Sequence, residues 1–245
     1  MKRPKRATIG LGRLAVKSAM AGMRRRGYAA VVPSTVQQVF GAAGLATPDH
    51  VKWCERVPES GPGVYVVAMT DKTLEVARTR ARCPLKTTAL EHLLNIRAVE
   101  VDKELATVET LAKRLKQYWL PDECVLYIGR ASKSVRKRVR DYYSTPLGAT
   151  RPHAGGWWLK TLKVLPELHV HFARTNDYLQ AEKAMLREFA KHVSPESQAA
   201  LRDPERPMPF ANRKNEDDLR KRHFISGDTV RLEPVGQLVA AEPVS

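Results

Sequence analysis

Tyr65 closes the tripeptide Gly63-Val64-Tyr65 and Tyr127 opens Tyr127-Ile128-Gly129, with Arg138, Tyr142, Glu182 and Asn212 following along the chain. Phenols, a guanidinium, a carboxylate and an amide are a set with which a phosphodiester could be cut. Such a step gains from a cation where charge builds on phosphorus. Each residue also has a plainer reading. Tyrosines in strands are commonly core residues, and asparagines in loops commonly make turns.

Helical geometry sharpens two of them. At about 100° per residue, Val135, Arg138, Val139 and Tyr142 share one face of a helix. Arg138 therefore sits at the edge of an apolar stripe, where a guanidinium needs an anion. It is either a phosphate clamp or half of a structural salt bridge. In the next long helix Leu179, Met185, Leu186, Phe189 and Val193 form a stripe with Glu182 inside it. A carboxylate there calls for a cation, a metal or a raised pKa. Glu182 and Arg138 either pair with each other or jointly serve a metal–phosphate centre.

The elements that must position these groups follow from periodicity. Residues 63–69 and 124–129 read as buried strands, and 168–173 as a half-buried third strand in which His169 and His171 alternate with apolar residues. Helices are expected near 88–96 and 108–119, over 133–143, and over 178–192. A short helix over 34–45 carries Ser34 as its N-cap. The predicted fold class is α+β: a small three-stranded antiparallel sheet flanked by helices, with a helical insertion between the first two strands and a basic N-terminal extension. The boundaries are 1–60 for the basic arm and short helix, 61–215 for the central domain, and 216–245 for a tail. The insertion runs from about 71 to 121.

The 245 residues hold 42 Lys+Arg against 26 Asp+Glu, a formal charge of +16, and at 43% hydrophobic they can bury a core. Such a surplus suits a polyanion, because each phosphate neutralised releases condensed counterions. It suits a structural protein of a nucleoprotein particle equally well. Residues 1–48 contain nine Lys/Arg and no acid, as a mobile arm or a helix ordered by an acidic partner would. Cys54, Cys83 and Cys124 are odd in number and far apart, which argues against a disulfide framework or a zinc site and for reduced thiols in the cytoplasm. No apolar run approaches the roughly 20 residues of a membrane span. Arg13 and Lys17 interrupt any signal-peptide core, though an acid-free organellar presequence remains an alternative.

In their order along the chain, Gly63-Val64-Tyr65, Tyr127-Ile128-Gly129, Arg138, Glu182 and Asn212 resemble the motifs of the GIY-YIG nuclease superfamily, over roughly 61–215. Arg138 is matched through Arg138-Val139 and the aromatic Tyr142 one turn later, although Lys137 fits the literal spacing. The long insertion is a departure shared with the restriction-enzyme-like branch.

The resemblance implies a metal-dependent DNA endonuclease, with Glu182 as sole protein ligand of one Mg²⁺ or Mn²⁺. Tyr65 would act as general base or relay, its pKa lowered by Arg138 or Arg130. Tyr127 and Tyr142 would orient water and phosphate, Arg138 would stabilise the pentacoordinate phosphorus, and Asn212 would brace the site. The DNA-facing set is Arg130, Lys133, Arg136, Lys137 and Arg140, with Arg151 and His153 beside a Gly155-Gly156 pair that opens an apparent helix. That stretch serves equally well as a turn followed by Trp packing. One centre nicks one strand at a time, so duplex cleavage calls for a homodimer or two encounters. The alternative is a non-catalytic nucleic-acid-binding protein on the same scaffold.

Overall fold

A computed structural model describes residues 33–75, 80–149, 151 and 156–227, all within one unit, Val31–Ser245. The chain enters it through α1 (Val36–Gly41). Its N-cap is Thr35 rather than Ser34: Thr35 Oγ1 accepts from the Gln38 amide, and the Gln38 side chain accepts from the Thr35 amide. This reciprocal capping box satisfies two donors that the first turn leaves without helical partners.

β1 (Asp49–Lys52) and β2 (Gly63–Ala68) come next. All six residues of β2 are buried, because both faces of this strand are covered and its side chains can be apolar throughout. Gly63 is required by its neighbours: a Cβ there would lie 2.2 Å from the Ala173 carbonyl oxygen. The insertion then folds as α2 (Thr87–Ile96), a hairpin of β3 (Glu100–Val101) and β4 (Glu104–Leu105), and α3 (Val108–Lys116). The hairpin turns through Asp102 and Lys103, both at positive φ, the conformation that matches strand twist in a two-residue loop.

β5 (Val125–Ala131) leads into α4 (Val135–Ser144), β6 (His169–Arg174), α5 (Tyr178–His192), α6 (Pro195–Ala200) and β7 (Ile225–Ser226). The main sheet is antiparallel, in the order β1-β6-β2-β5, and a smaller antiparallel sheet has the order β4-β3-β7. The fold is thus α+β, with four strands in the main sheet instead of three. The fourth, β1, is mostly exposed and polar apart from Val51, so it carries no alternation; only pairing with β6 makes it a strand. β1 precedes residue 61 and β7 follows 215, and each pairs with a strand inside that span.

The main sheet carries a core on each face. Val64, Val66, Ala68 and Ile128 pack with α1 and α5; Tyr65, Val67, Tyr127, Val170 and Phe172 pack with the insertion and α4. Arg114 of α3 ties the insertion to the C-terminal segment, donating to the Gln117 side chain, the His223 carbonyl and Asp102. The three cysteines are free thiols. No helix among the described residues is long and apolar enough to cross a membrane.

Candidate functional site

Tyr65 and Tyr127 reach the same face of the sheet from adjacent antiparallel strands. Tyr65 is registered opposite Gly129, and Tyr127 opposite Val67 two places along. Their rings lie diagonally, with centroids 5.9 Å apart, and their hydroxyls are hydrogen-bonded. Gly129 is what lets them meet. A Cβ on it would stand 2.6 Å from Tyr127 Cε1 and 2.8 Å from Tyr65 Cζ, so any side chain would push the phenols apart. Tyr142 of α4 joins them, its ring 5.5 Å from that of Tyr127.

The three phenols are not equally placed. Tyr127 lines a cleft of ≈ 220 Å³ bounded also by Arg130, Arg138, Glu182 and Asn212. Tyr65 stands behind Tyr127 with no exposure at all. Tyr142 donates its hydroxyl to the Gly156 carbonyl, which fits a positive-φ glycine where a Cβ would collide with that hydroxyl. Burial pushes the pKa of Tyr65 and Tyr142 well above that of a free phenol, and that of Tyr127 upward too. Arg138 pulls Tyr65 the other way, but burial outweighs it. The lowered phenol pKa expected from nearby arginines is therefore absent here: desolvation penalises the phenolate more than the guanidinium stabilises it.

α4 brings Arg138 to the cleft and is held at its N-terminus by three contacts. Ser134 Oγ accepts from the Lys137 amide, and the Val135 and Arg136 amides donate to the Gly61 and Glu59 carbonyls at 2.9 and 2.8 Å. Arg138 is half-buried, and its guanidinium forms no hydrogen bond or ion pair among the described residues. It does not pair with Glu182. That partner is Arg130, at the end of β5, whose Nη1 donates to Glu182 Oε2. The Glu182 side chain is 15% exposed and that of Arg130 37%. Burial raises the Glu182 carboxyl above the ordinary carboxylate range, with Arg130 the chief opposing influence.

Asn212 is buried and works as a strand of one side chain. Its Oδ1 accepts from the Ile128 amide at 2.9 Å and its Nδ2 donates to the Ile128 carbonyl at 2.8 Å. One residue earlier, the Ala211 amide donates to the Leu126 carbonyl. Together they cover the outer edge of β5, which would otherwise present unpaired backbone groups.

The cationic residues divide by geometry. Arg130, Lys133, Lys137 and Arg138 line a second, basic cleft of ≈ 510 Å³ with Ser132, Ser134 and Asp141. Lys137 is paired there with Asp141 at 2.9 Å. Arg136 turns away: its guanidinium donates to the Val57 and Pro58 carbonyls and fastens α4 to the preceding turn. Arg140 and Arg151 are exposed but line neither cleft. His153 lies outside the described residues. Of the Gly155-Gly156 pair only Gly156 is described; it leads into a 3-10 turn, Trp157–Thr161, whose two tryptophans are buried.

Sequence reasoning missed the far wall of the first cleft, formed by Lys183, Arg213, Lys214, Asn215, Glu216 and Asp218. Its sequence carries no periodicity, and Lys183 reads as an ordinary solvated charge. Among the described residues no group of three or more His, Cys, Asp or Glu is arranged to hold a metal ion. A cation at this cleft would meet the Glu182 carboxylate on one wall, with Glu216 and Asp218 on the other. The space suits one: a hexahydrated Mg²⁺ occupies about 180 Å³, taking each water at its liquid volume. Comparison with known protein families, with curated proteins and with solved structures finds no match to this chain.

Proposed function

We propose that the protein is a DNA endonuclease of the GIY-YIG type, hydrolysing phosphodiesters in the cleft between β5, α4 and α5. One observation carries this reading. Tyr127, Arg138, Glu182 and Asn212, drawn from three elements and a loop, line one cleft, and a basic cleft opens beside it through Arg130 and Arg138. A core salt bridge would account for Glu182, but not for phenols, an unpaired guanidinium and a cation-lined groove meeting beside it.

Each residue then has a role set by its placement. Arg138, held on a helix docked at its N-terminus, meets the charge that develops on the phosphoryl oxygens. Tyr127, at the cleft wall, positions the attacking water, and Tyr65 behind it holds that hydroxyl in place. With both phenols raised in pKa, they act as hydrogen-bonding groups in the free protein rather than as phenolates. Tyr142, bonded to Gly156, orients α4 and the aromatic cluster. Asn212 keeps the β5 edge straight beneath Tyr127 and Arg130. Glu182 would hold one Mg²⁺ or Mn²⁺, and such an ion supplies charge stabilisation at the leaving oxygen. Lys133, Lys137 and Arg130 carry the backbone on either side.

A specific observation favours the second reading, a non-catalytic nucleic-acid-binding protein: Tyr65 is fully buried. Plasmid nicking separates the two. The wild type should nick with Mg²⁺ or Mn²⁺ and not with EDTA, Glu182→Ala should lose at least about 10²-fold in rate, and Arg138→Ala should lose cleavage while retaining most affinity. Nicking that survives both EDTA and Glu182→Ala would sink the proposal. Tight binding without cleavage under any metal would leave the binding protein.

A further inference from the structure

We propose that the Arg130–Glu182 ion pair is a gate on the metal position, opened by the phosphodiester itself. In the free protein Arg130 neutralises the carboxylate that would hold the cation, and it leaves only when a DNA phosphate offers its guanidinium a better anion. Metal would then bind with DNA or after it, not before. The inference rests on the nuclease reading above and adds an order of assembly to it.

Three observations point to the gate. Arg130 Nη1 is bonded to Glu182 Oε2, and the pair is half withdrawn from water. A divalent cation approaching that carboxylate meets a positive charge already seated on it, which weakens the anchor that Glu182 would supply. Second, Arg130 and Arg138 are the two residues that line both clefts. From its place at the end of β5, Arg130 therefore reaches the carboxylate on one side and the basic groove on the other. Third, Arg138 forms no ion pair among the described residues, so the junction already holds one uncommitted guanidinium for a phosphate. A guanidinium fork matches two phosphate oxygens in one plane, and the phosphate draws Arg130 off the carboxylate as it enters. Linkage makes the effect reciprocal: DNA tightens metal binding by the factor by which metal tightens DNA binding.

The test measures Mn²⁺ binding to the full chain at pH 8 by electron paramagnetic resonance of the free ion, with and without a short DNA duplex whose own uptake is subtracted. For the wild type, the duplex should tighten Mn²⁺ by about tenfold or more. Arg130→Gln should bind Mn²⁺ about tenfold more tightly than wild type without DNA, and the duplex should then add less than about threefold. Arg130→Lys, which keeps a charge on Glu182, should remain gated. Equal Mn²⁺ affinity of Arg130→Gln and wild type without DNA, with Glu182→Gln abolishing uptake, overturns the gate and leaves the metal reading standing. Uptake unaffected by Glu182→Gln removes the metal reading, and the gate with it. Should Arg130→Gln fail to fold, the wild type decides: DNA affinity that does not change with Mn²⁺ overturns the proposal.

Discussion

Glu123 shows how much a single side chain can conceal. It follows Pro121 and Asp122 just before β5, yet it is 1% exposed and neither carboxylate oxygen has a hydrogen-bond partner. Burial, with Asp122 beside it, pushes its carboxyl up to about 8. The folded state therefore binds this proton more tightly than the unfolded chain does. The stabilisation is complete below the ordinary carboxylate pKa and is lost as pH rises towards 8, amounting to on the order of 5 kcal/mol across that window. Glu123→Gln removes the titration. Its urea midpoint should gain steadily on that of the wild type between pH 5 and pH 8.5; a constant difference would show that the carboxyl ionises normally. The same lesson holds at the cleft. That Glu182 needs a cation is legible from its place in an apolar stripe. Which cation is not: Arg130 lies 52 positions away on another element, and helical periodicity carries no information about it.

At the level of elements, α4 is the part on which the site turns, and it is secured at both ends. Its N-terminus docks on the Glu59 and Gly61 carbonyls; at its C-terminus Lys160 Nζ donates to the carbonyls of Tyr142, Tyr143 and Thr145. A lysine there satisfies acceptors that the last turn leaves open and meets the negative end of the helix dipole. Burial lowers its pKa to about 8. Lys160→Met should cost about 2–3 kcal/mol, a loss of about 4–10 °C in melting temperature for a chain this size, with little change in DNA affinity because Lys160 lines neither cleft. Weakened binding at unchanged stability would place Lys160 in the interface instead. The longer helices were legible: α5 spans the predicted 178–192, and α2, α3 and α4 fall within a few residues of their expected ranges, whereas the six-residue α6 was not foreseen. β1, β3, β4 and β7 were not. Each is four residues or shorter, and three of them are only two residues long, too short for a pattern.

For the whole molecule, a charge of +16 implies strong salt dependence, but the structure assigns the charges unequally. Arg130, Lys133, Lys137 and Arg138 line the clefts, whereas Arg136 is spent on backbone carbonyls. DNA affinity should fall with log salt at a slope of roughly −3 to −5. Lys133→Gln should reduce that slope by about 1, while Arg136→Gln should lower stability and leave the slope unchanged. Filter binding across a salt series checks both, and a slope that responds to Arg136 but not Lys133 would move the interface elsewhere. By itself the sequence determined what depends on neighbours along the chain: the α+β class, the two motif strands, the periodic helices, and the conflict of Arg138 and Glu182 with their apolar stripes. Only the tertiary structure decided the fourth strand, the partner of Glu182, the withdrawal of Tyr65 behind Tyr127, and the wall formed by residues 213–218. These are contacts between distant segments, and their energies come from burial and pairing that exist only once the chain has closed on itself.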